Sequence, residues 1–358
     1  DYQSAPKGGG QVIPEWMQHV VECYNNHLYF KCSVDKVLVE DGKAVGVNFN
    51  HRGKDYSVRS KYVIAACDVE TLYNKMLPAN VLSGKFSRKL ENAELYSSSV
   101  TISIALDCPT EELGFSEEFI HISSEHSTRE EHSGGDPWKS EIAILAPSLR
   151  DKSLAPEGQG TLTIFMPAYM NFKDNWLTQK DEHGNYIRND EYRKLKNDIA
   201  EILLQRVEEL VAPGLRSHIL FYDVATPVTH HRYTGNKNGS MMGAKPGREN
   251  MQSKIAHYRT PIKNLLLSGH WAELGGGVPI AVKAGANAAL LVLQDEKHKA
   301  FQVLADYMDA KISAEDVNKS GVFKPYDNSW VQSLTPAQKL ALRQNAHTNE
   351  LSEEQPPS

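Results

Sequence analysis

The segment at residues 264–294, NLLLSGHWAELGGGVPIAVKAGANAALLVLQ, joins a short apolar run to a long one through three consecutive glycines. The run NLLLSG is typical of a short strand. The residues after Gly277 predict a long helix with Pro279 in its first turn, where a missing N–H costs nothing. The many alanines that follow leave this helix a smooth surface that can lie close to a sheet. A strand, a glycine turn and a helix are therefore expected in direct succession.

The three glycines of this turn have two interpretations. In the chemical one, unpaired N–H groups at the helix start and missing side chains let a diphosphate or a flat ring approach the backbone. In the structural one, small residues serve helix packing alone. A glycine-rich match is weak out of context, so the rest of the chain has to decide between the two.

Length, charge and cysteine content limit the class of protein. The 358 residues suit two domains, or one large domain with an insertion, because single cores stop growing at about 250–300 residues. A net charge of -6 provides no overall basic surface, which argues against a nucleic-acid partner. The cysteines at 23, 32, 67 and 108 form no CxxC pair and have no histidine at metal-binding spacing. We therefore expect reduced thiols, no disulfide framework and no metal site.

The sequence gives no sign of a targeting or membrane-spanning segment. The first residues, DYQSAPKGGG, lack the basic and apolar regions of a secretory signal. No run reaches about 18 consecutive apolar residues, and the glycine-rich segment comes nearest. We expect a cytoplasmic protein, with peripheral membrane contact left open. The absence of an initiating methionine leads us to expect a piece of something longer.

The first part of the chain predicts a helix followed by β-structure. Residues 11–27, QVIPEWMQHVVECYNNH, place apolar side chains at helical spacing. Three β-rich runs follow at 28–40, 43–50 and 54–67, the first two separated by the turn signal Asp41-Gly42. They predict a three-stranded antiparallel meander. The last run ends in the unbroken apolar stretch YVIAACD, which is typical of a strand buried on both faces.

A second, sheet-based domain is predicted in the middle of the chain. Its strand candidates are SVTISIALDC, EIAILAP, GTLTIFMPA and SHILFYDVATP. Its clearest helix spans 189–211 and ends at Pro213 and Gly214. The predicted buried stripe of that helix consists of Ile199, Ile202, Leu203, Val207, Leu210 and Val211.

These patterns divide the chain into four parts. Residues 1–80 and 256–297 are expected to form one domain, and residues 81–255 a substrate domain with a mixed sheet and helices. Residues 298–358 are expected to be a helical extension with a flexible tail, because their end, HTNELSEEQPPS, is polar.

Four stretches, in order, resemble the phytoene desaturase and retinol saturase family of FAD-dependent oxidoreductases, which act on carotenoids and retinoids. SGHWAELGGGVPIAVKAGANAA is similar to the family's carboxy-terminal flavin motif, and PKGGGQVIPEWMQHVVE to its glycine pair and following helix. The meander followed by YVIAACDVETLYNKMLP is similar to the family's meander with its ADP-like and LLP-like segments. VATPVTHHRYTGNKNGSMMG is similar to its TP...G...G element. Together these run from about residue 6 to 294, which favours the chemical interpretation of the glycines.

Two departures from the family pattern limit what the resemblance implies. Leu274 replaces a usual proline, and the residues around it are closer to the QWxxPGGG of retinol-saturase-like members than to the THPGGG of phytoene desaturases. This difference weakens an assignment of the chain to carotenoid desaturation specifically. The amino-terminal βαβ unit with GxGxxG, which holds the FAD diphosphate in this family, is not among these residues. The chain resembles the carboxy-terminal two-thirds of such an enzyme.

The resemblance implies an α/β (α+β) fold in which part of a Rossmann-like FAD-binding domain, with its meander, accompanies the substrate domain. It implies that Val34 offers backbone contacts to the adenine, and that Ala66, Cys67 and Asp68 lie near the cofactor. The residues implied to line the diphosphate, ribityl chain and flavin are Gly269, Trp271, Glu273, Gly275, Gly276, Gly277, Val278 and Pro279. From the residues alone, the preferred interpretation is a plain sheet residue for Val34 and a small buried residue for Cys67. The Glu273 carboxylate would either bond a ribityl hydroxyl or cap the helix N–H groups.

The activity implied by the resemblance is saturation or desaturation of C–C bonds in an apolar, isoprenoid-like substrate by hydride transfer through flavin. NAD(P) is a candidate electron source or acceptor. No acid–base triad is required, and no catalytic residue is assigned. His230 and His231, interpreted as neighbours on a strand, would point to opposite faces, so at most one would face a cleft. For both, a satisfied or solvent-facing side chain is the simpler interpretation.

An alternative of another class is a non-catalytic remnant or split-gene half. Such a chain would keep the substrate domain and bind FAD only with a partner that supplies the missing amino-terminal segment. The glycine turn favours descent from a flavin enzyme in both cases.

Overall fold

The computed structural model describes residues 6–323 apart from 80, 82, 124–127 and 183. The strands are β1 Cys32–Glu40, β2 Lys43–His51, β3 Lys54–Arg59, β4 Val63–Ala65, β5 Ser98–Leu106, β6 Phe119–Ile122, β7 Ile142–Leu145, β8 Gly160–Ala168, β9 Ile219–Ala225 and β10 Leu265–Leu267. The helices are α1 Val12–Cys23, α2 Val69–Thr71, α3 Gly84–Glu91, α4 Arg129–Ser133, α5 Lys173–Leu177, α6 Asp190–Leu210, α7 Pro227–Thr234, α8 Arg248–Ser253, α9 Gly277–Asp295, α10 Lys299–Met308 and α11 Ala314–Lys319. All residues of α5 have positive φ, so this element is a left-handed turn.

The described residues divide by their contacts into two compact units. The first, which we call the sheet unit, contains residues 6–28 and 97–241. The second, the turn unit, contains residues 29–96 and 242–323 and includes the glycine turn. The functional roles assigned to the parts of the chain from its sequence stay predictions.

The predicted meander forms the first sheet of the turn unit. Strands β1, β2 and β3 pair antiparallel in chain order, as expected. The turn between the first two strands places Asp41 at φ 48° and Gly42 at φ 72°. Positive φ at both central residues is the geometry that matches the right-handed twist of the flanking strands, which explains why the Asp-Gly pair identified the hairpin.

The predicted third strand is wrong in its extent. It was expected to run from 54 to 67, but β3 ends at Arg59, and β4 then pairs in parallel with β10 in a separate sheet. The ladder to β2 continues for one more residue, through the N–H of Ser60 to the carbonyl of Val45, and the Ser60 hydroxyl then donates to the carbonyl of Tyr62 where the chain leaves the meander. Within the described chain β4 is not buried on both faces either, since Ile64 is 44% exposed.

Strand β10 lies in the core of the turn unit. Leu265, Leu266 and Leu267 are each at most 2% exposed, as an unbroken apolar run predicts. The parallel register joins Leu266 to Ile64, and the N–H of Ser268 continues the ladder to the carbonyl of Ala65 at 2.8 Å. The carboxyl ends of both strands therefore meet, which brings the residues after each strand together.

The sheet unit contains a five-stranded sheet in the order β6-β7-β8-β5-β9. The predicted α/β (α+β) fold class is confirmed, with one correction: this sheet was expected to be mixed, but all its described pairings are antiparallel. Strand β5 lies between β8 and β9 and pairs antiparallel with both, so the long connection through α6 joins two strands that are not neighbours. Strand β6 was not predicted, because its four residues alternate between exposed and half-buried positions.

One face of this sheet packs on α6, as the helical pattern at 189–211 predicts. Asn189 caps the helix by accepting from the N–H of Tyr192, and Ile199, Leu203 and Val207 are fully buried. The stripe was wrong at Leu210, the last residue of the helix, which is 63% exposed, and Ile202 and Val211 are only half-buried.

The strand interpretation of the two adjacent histidines is wrong. Strand β9 ends at Ala225, and Pro227 begins α7, which contains His230 and His231. Pro227 has the fixed φ that suits a first helical turn. His230 Nε2 lies 3.1 Å from Ser99 Oγ, and His231 Nδ1 lies 2.9 Å from the carbonyl of Asn236. Both side chains are thus hydrogen-bonded within the fold.

The predicted long helix after the glycines is α9. Its first turn contains Pro279, as expected, and among its described residues only Ala284 and Ala288 are buried. Within the described chain α9 is also long and apolar enough to cross a membrane by length and composition, a test that core helices of soluble proteins pass too. The predicted flexible tail beyond residue 323 lies outside the described residues.

Candidate functional site

Within the glycine turn, steric overlap requires glycine at one position, whereas the other two positions have room for a side chain. A Cβ at Gly276 would lie 2.2 Å from Met242 Sδ, so packing alone requires glycine there. At Gly275 and Gly277 a Cβ would meet only ordinary contacts, at 3.7 Å and 3.8 Å. All three residues have positive φ, which glycine adopts without strain. The structural and the chemical interpretations of the glycines are therefore compatible.

The start of α9 carries no cap of its own. Gly276 has no side chain to accept from the first N–H groups, and the first turn contains no acidic residue. Val278, in that turn, is 54% exposed. Free N–H groups and the helix dipole together favour an anionic group in front of such an end.

The Glu273 side chain forms hydrogen bonds with other residues of the turn unit. Its carboxylate accepts from the Tyr258 hydroxyl at 2.5 Å, from Asn287 Nδ2 at 3.3 Å and from Lys283 Nζ at 3.4 Å. The bond from Tyr258 holds the pKa of Glu273 below its ordinary value, and burial with the same bond raises the pKa of Tyr258 to about 12. This cluster ties α9 to the loop before β10. The cofactor contact assigned to Glu273 stays a prediction.

Another side chain positions the turn itself. The hydroxyl of Tyr96 donates to the carbonyl of Gly275 at 2.7 Å. Sequence reasoning missed Tyr96, because it lies 179 positions from its partner and belongs to no motif.

Three buried polar atoms lie without a hydrogen-bond partner in the residues that follow β4 and β10. They are Asp68 Oδ2, His270 Nε2 and Trp271 Nε1. Asp68 and Trp271 are each only 3% exposed. Burial lowers the pKa of His270, although the charge of Asp68 opposes this, so the imidazole is neutral at physiological pH. Buried polar groups are nearly always paired, so these three atoms are available to hydrogen-bond a bound water or ligand.

The structure brings most of the predicted site residues to the ends of these two strands. A Cβ on Gly269 would lie 3.5 Å from the carbonyl oxygen of Ala66. Asp68 also caps α2, because its Oδ1 accepts from the N–H of Thr71 at 2.9 Å. Cys67 is half-buried, and this burial raises the pKa of its thiol. His270, between the predicted residues Gly269 and Trp271, was missed although its position in the motif could have indicated it.

Val34 does not follow β4 or β10 but belongs to β1 of the meander. It is half-buried in β1 opposite Phe49, and the pairing of β1 with β2 shifts register directly after it. A bulge of this kind re-aims nearby side chains. The adenine contact assigned to Val34 stays a prediction.

The sheet unit presents an apolar groove on the face of its sheet away from α6. It encloses about 360 Å³ across β6, β7 and β8. Its lining residues are Phe119, His121, Glu141, Ala143, Leu145, Thr163, Phe165 and Pro167. Phe119 is 58% exposed, which is unusual for so large an apolar side chain. The groove thus offers mainly carbon surface, with His121, Glu141 and Thr163 as its polar members.

Comparison with known proteins finds relatives in carotenoid metabolism. No family model matches the chain. The chain is 26% identical over 300 residues to the chloroplastic prolycopene isomerase of Daucus carota, covering 81% of this chain and 44% of that protein. It is 22% identical over 315 residues to the phytoene desaturase of Fusarium fujikuroi, covering 83% and 53%. The chain thus spans about half the length of the curated relatives it matches. These relatives confirm the resemblance to carotenoid-desaturase-like proteins.

A solved structure supports the fold. Putrescine oxidase bound to putrescine superimposes with a TM-score of 0.51 at 14% identity, over 80% of this chain and 53% of that one. At this identity the likeness shows the fold alone. It agrees with the expected Rossmann-like fold class.

Proposed function

We propose that the chain is part of an FAD-dependent oxidoreductase that saturates or desaturates C–C bonds of an apolar, isoprenoid-like substrate by hydride transfer through flavin. The observation that carries the proposal is the group of unpartnered buried atoms on Asp68, His270 and Trp271 beside the uncapped start of α9. An unmade hydrogen bond on a buried group costs about 1–3 kcal/mol. A ligand that combines hydroxyl, phosphate and ring groups would remove this cost.

The residues present fit such a ligand. The uncapped N–H groups at the start of α9 would face phosphate, and the bare backbone at Gly275 and Gly277 would allow close approach. Asp68 Oδ2 can accept from a hydroxyl, and Trp271 Nε1 can only donate. The neutral His270 ring offers either role at Nε2, depending on its tautomer.

The bound flavin would supply the hydride acceptor or donor, and the protein would supply position and exclusion of water. The apolar groove of the sheet unit supports the proposed substrate class, because its Phe119, Leu145 and Phe165 offer carbon surface. The names of the relatives support the same class. Because such a substrate is dissolved in lipid, the proposal includes a cytoplasmic protein in peripheral contact with a membrane. NAD(P) is part of the proposal only as a possible partner in electron exchange.

The test is a visible absorption spectrum of the purified chain, before and after addition of excess FAD and gel filtration. Flavin bands that stay with the protein are expected. Val278→Asp and Val282→Asp form a matched pair, because both positions are exposed on the same face of α9, one turn apart. Only the first places a carboxylate in the first turn, where it would repel phosphate. We expect Val278→Asp to weaken FAD binding at least tenfold and Val282→Asp to leave it within about twofold.

A second candidate function is a half-site that binds flavin only with a partner segment. It is favoured by the exposed apolar residues Val278 and Val282 on α9 and Ile64 on β4, which a further chain segment could cover. A colourless protein after gel filtration would overturn the proposal that this chain holds FAD alone. A coding frame with GxGxxG upstream would then identify the partner segment.

A further inference from the structure

We propose that Asp107, Cys108 and His218 form a binding site for a thiophilic divalent cation such as Zn²⁺ in the sheet unit. The three residues offer one carboxylate oxygen, one sulfur and one imidazole nitrogen, and these atoms all lie within 4.8 Å of one another. The residues belong neither to the glycine turn nor to the apolar groove. The inference therefore stands or falls independently of the proposed flavin site.

The fold brings the three residues together through backbone contacts. Strand β5 ends at Leu106, which pairs with Ile219 at the start of β9, and a register shift precedes Leu106. One residue further on, the N–H of Asp107 donates to the carbonyl of His218 at 3.0 Å. A bulge beside a strand end re-aims the side chains that follow it. Adjacent residues 107 and 108 can therefore both reach the imidazole.

The backbone of Cys108 also packs closely against the start of β8. A Cβ on Gly160, the first residue of β8, would lie 2.8 Å from the carbonyl oxygen of Cys108. Cys108 is 5% exposed and belongs to the core of the unit. Its sulfur is thus presented from a rigid position, as a metal ligand needs to be.

The donor spacing suits tetrahedral coordination after small side-chain rotations. Metal–ligand bonds of about 2.0–2.3 Å place neighbouring donors of a tetrahedral Zn²⁺ roughly 3.3–3.8 Å apart. Asp107 Oδ1 and His218 Nδ1 lie 2.8 Å apart, joined by the hydrogen bond that a metal ion would replace. No pair in the set exceeds 4.8 Å.

Exposure and charge fit the same ion. The side chains of His218 and Asp107 are 42% and 49% exposed, which gives an ion a path from solvent and leaves a fourth position for water. On binding, the Cys108 thiol would release its proton to solvent, so that one thiolate and one carboxylate balance the two positive charges. A set of sulfur, nitrogen and oxygen donors favours Zn²⁺ over Mg²⁺ or Ca²⁺, which prefer oxygen alone.

Cobalt titration of the whole chain tests the site directly. The protein is treated with a chelator, kept reduced with a phosphine, and titrated with Co²⁺. Thiolate-bound tetrahedral Co²⁺ gives a near-ultraviolet charge-transfer band and strong visible d–d bands. We expect these to saturate at one equivalent and to disappear when Zn²⁺ is added. Cys108→Ser should abolish the charge-transfer band, and His218→Gln should weaken Co²⁺ binding at least tenfold.

Cys32→Ser is the matched control. Cys32 Sγ lies 3.2 Å from His51 Nδ1, another thiol beside an imidazole, so this variant should leave the bands unchanged. If Cys108→Ser does not fold, the half-exposed positions His218 and Asp107 decide the matter through His218→Gln and Asp107→Asn. Absence of the bands in the unmodified chain, their loss in Cys32→Ser, or unchanged affinity in His218→Gln would overturn the proposal.

Discussion

At the scale of single residues, the two carboxylate oxygens of Asp68 differ in their roles: one is structural, and the other is available to a ligand. Its Oδ1 caps α2, while its Oδ2 is buried without a partner. Asparagine keeps a cap of similar strength but replaces one acceptor by a donor. We expect Asp68→Asn to weaken FAD binding at least tenfold and to change the free energy of unfolding by less than about 0.5 kcal/mol.

Flavin titration and urea unfolding of the same preparation measure the two effects. Asp35→Asn, an exposed change in the same unit, is the control and should alter neither quantity. A variant that loses stability and flavin together would show that Asp68 acts through the fold rather than on the ligand.

The second prediction at this scale concerns the effect of packing at Gly276 on the free energy of unfolding. Gly276→Ala combines a backbone at φ 62° with an overlap between the new Cβ and Met242. We expect a loss of about 2–4 kcal/mol in unfolding free energy, measured by urea denaturation. Gly42→Ala has a similar φ of 72° and nothing within 4 Å, so it should cost only about 1 kcal/mol.

A double-mutant comparison isolates the contact with Met242. In a Met242→Gly background, which removes the Sδ, Cγ and Cβ atoms that lie within 2.8 Å of the new Cβ, the additional cost of Gly276→Ala should fall close to that of Gly42→Ala. An undiminished cost would assign the requirement for glycine to backbone conformation alone.

At the scale of elements, the Tyr258–Glu273–Asn287 cluster should stabilise the attachment of α9. Tyr258→Phe removes a hydroxyl that donates to Glu273 and accepts from Asn287 at 2.9 Å. Because the bonds are partly buried and one acceptor is charged, we expect a loss of about 1–3 kcal/mol in the free energy of unfolding.

Tyr62→Phe is a matched comparison for this change. The Tyr62 hydroxyl also donates to a glutamate, Glu296, at 2.8 Å, but in an exposed position. Water replaces an exposed hydrogen bond at little cost, so this variant should lose less than about 0.5 kcal/mol in urea denaturation. Equal losses would contradict the role given to burial.

The elements also show which parts of the structure are readable from sequence. The meander and α6 were predictable because their signals are local: a two-residue turn in one case and a 3.6-residue period in the other. The departure of β4 from the meander was not, because it depends on pairing with β10, about 200 positions away. The same limit applies to His230 and His231, whose helix begins at Pro227 after a strand-like run.

The candidate site was predictable only in part for the same reason. The glycines and Asp68 belong to recognisable motifs. The unpaired atoms on Asp68, His270 and Trp271 depend on two strand ends meeting, which spacing does not reveal. The cation site proposed at Cys108 could not be predicted from local metal-binding spacing, because His218 lies 110 residues further along the chain.

At the scale of the whole molecule, acid sensitivity is expected from histidines buried as neutral rings. His230, His257 and His270 each have a pKa lowered from 6.5, and burial is the main cause. They occur in both units, so the effect concerns the entire chain. In the unfolded chain the same rings would titrate near 6.5.

The sign of the pH dependence follows from proton binding. Below pH 6.5 these histidines bind protons in the unfolded chain but remain neutral in the folded chain, so the free energy of unfolding falls as pH falls. Above pH 6.5 both states are neutral at these rings and the contribution is fully present. We expect a decrease between pH 6.5 and 5.5 of up to about 1 kcal/mol for each ring, because the unfolded ring is only half protonated at pH 6.5.

Urea midpoints at steps of pH between 7.5 and 5.5 measure this dependence. The carboxylates with shifted values have pKa values below 4.5, so they contribute little in this window. His257→Gln should make the slope shallower, because one of the three buried rings no longer titrates, although the variant also loses a bond to Tyr73. That lost bond lowers stability equally at every pH and leaves the slope unaffected. A flat profile in the unmodified chain would show that these rings take up protons as readily when folded as when unfolded.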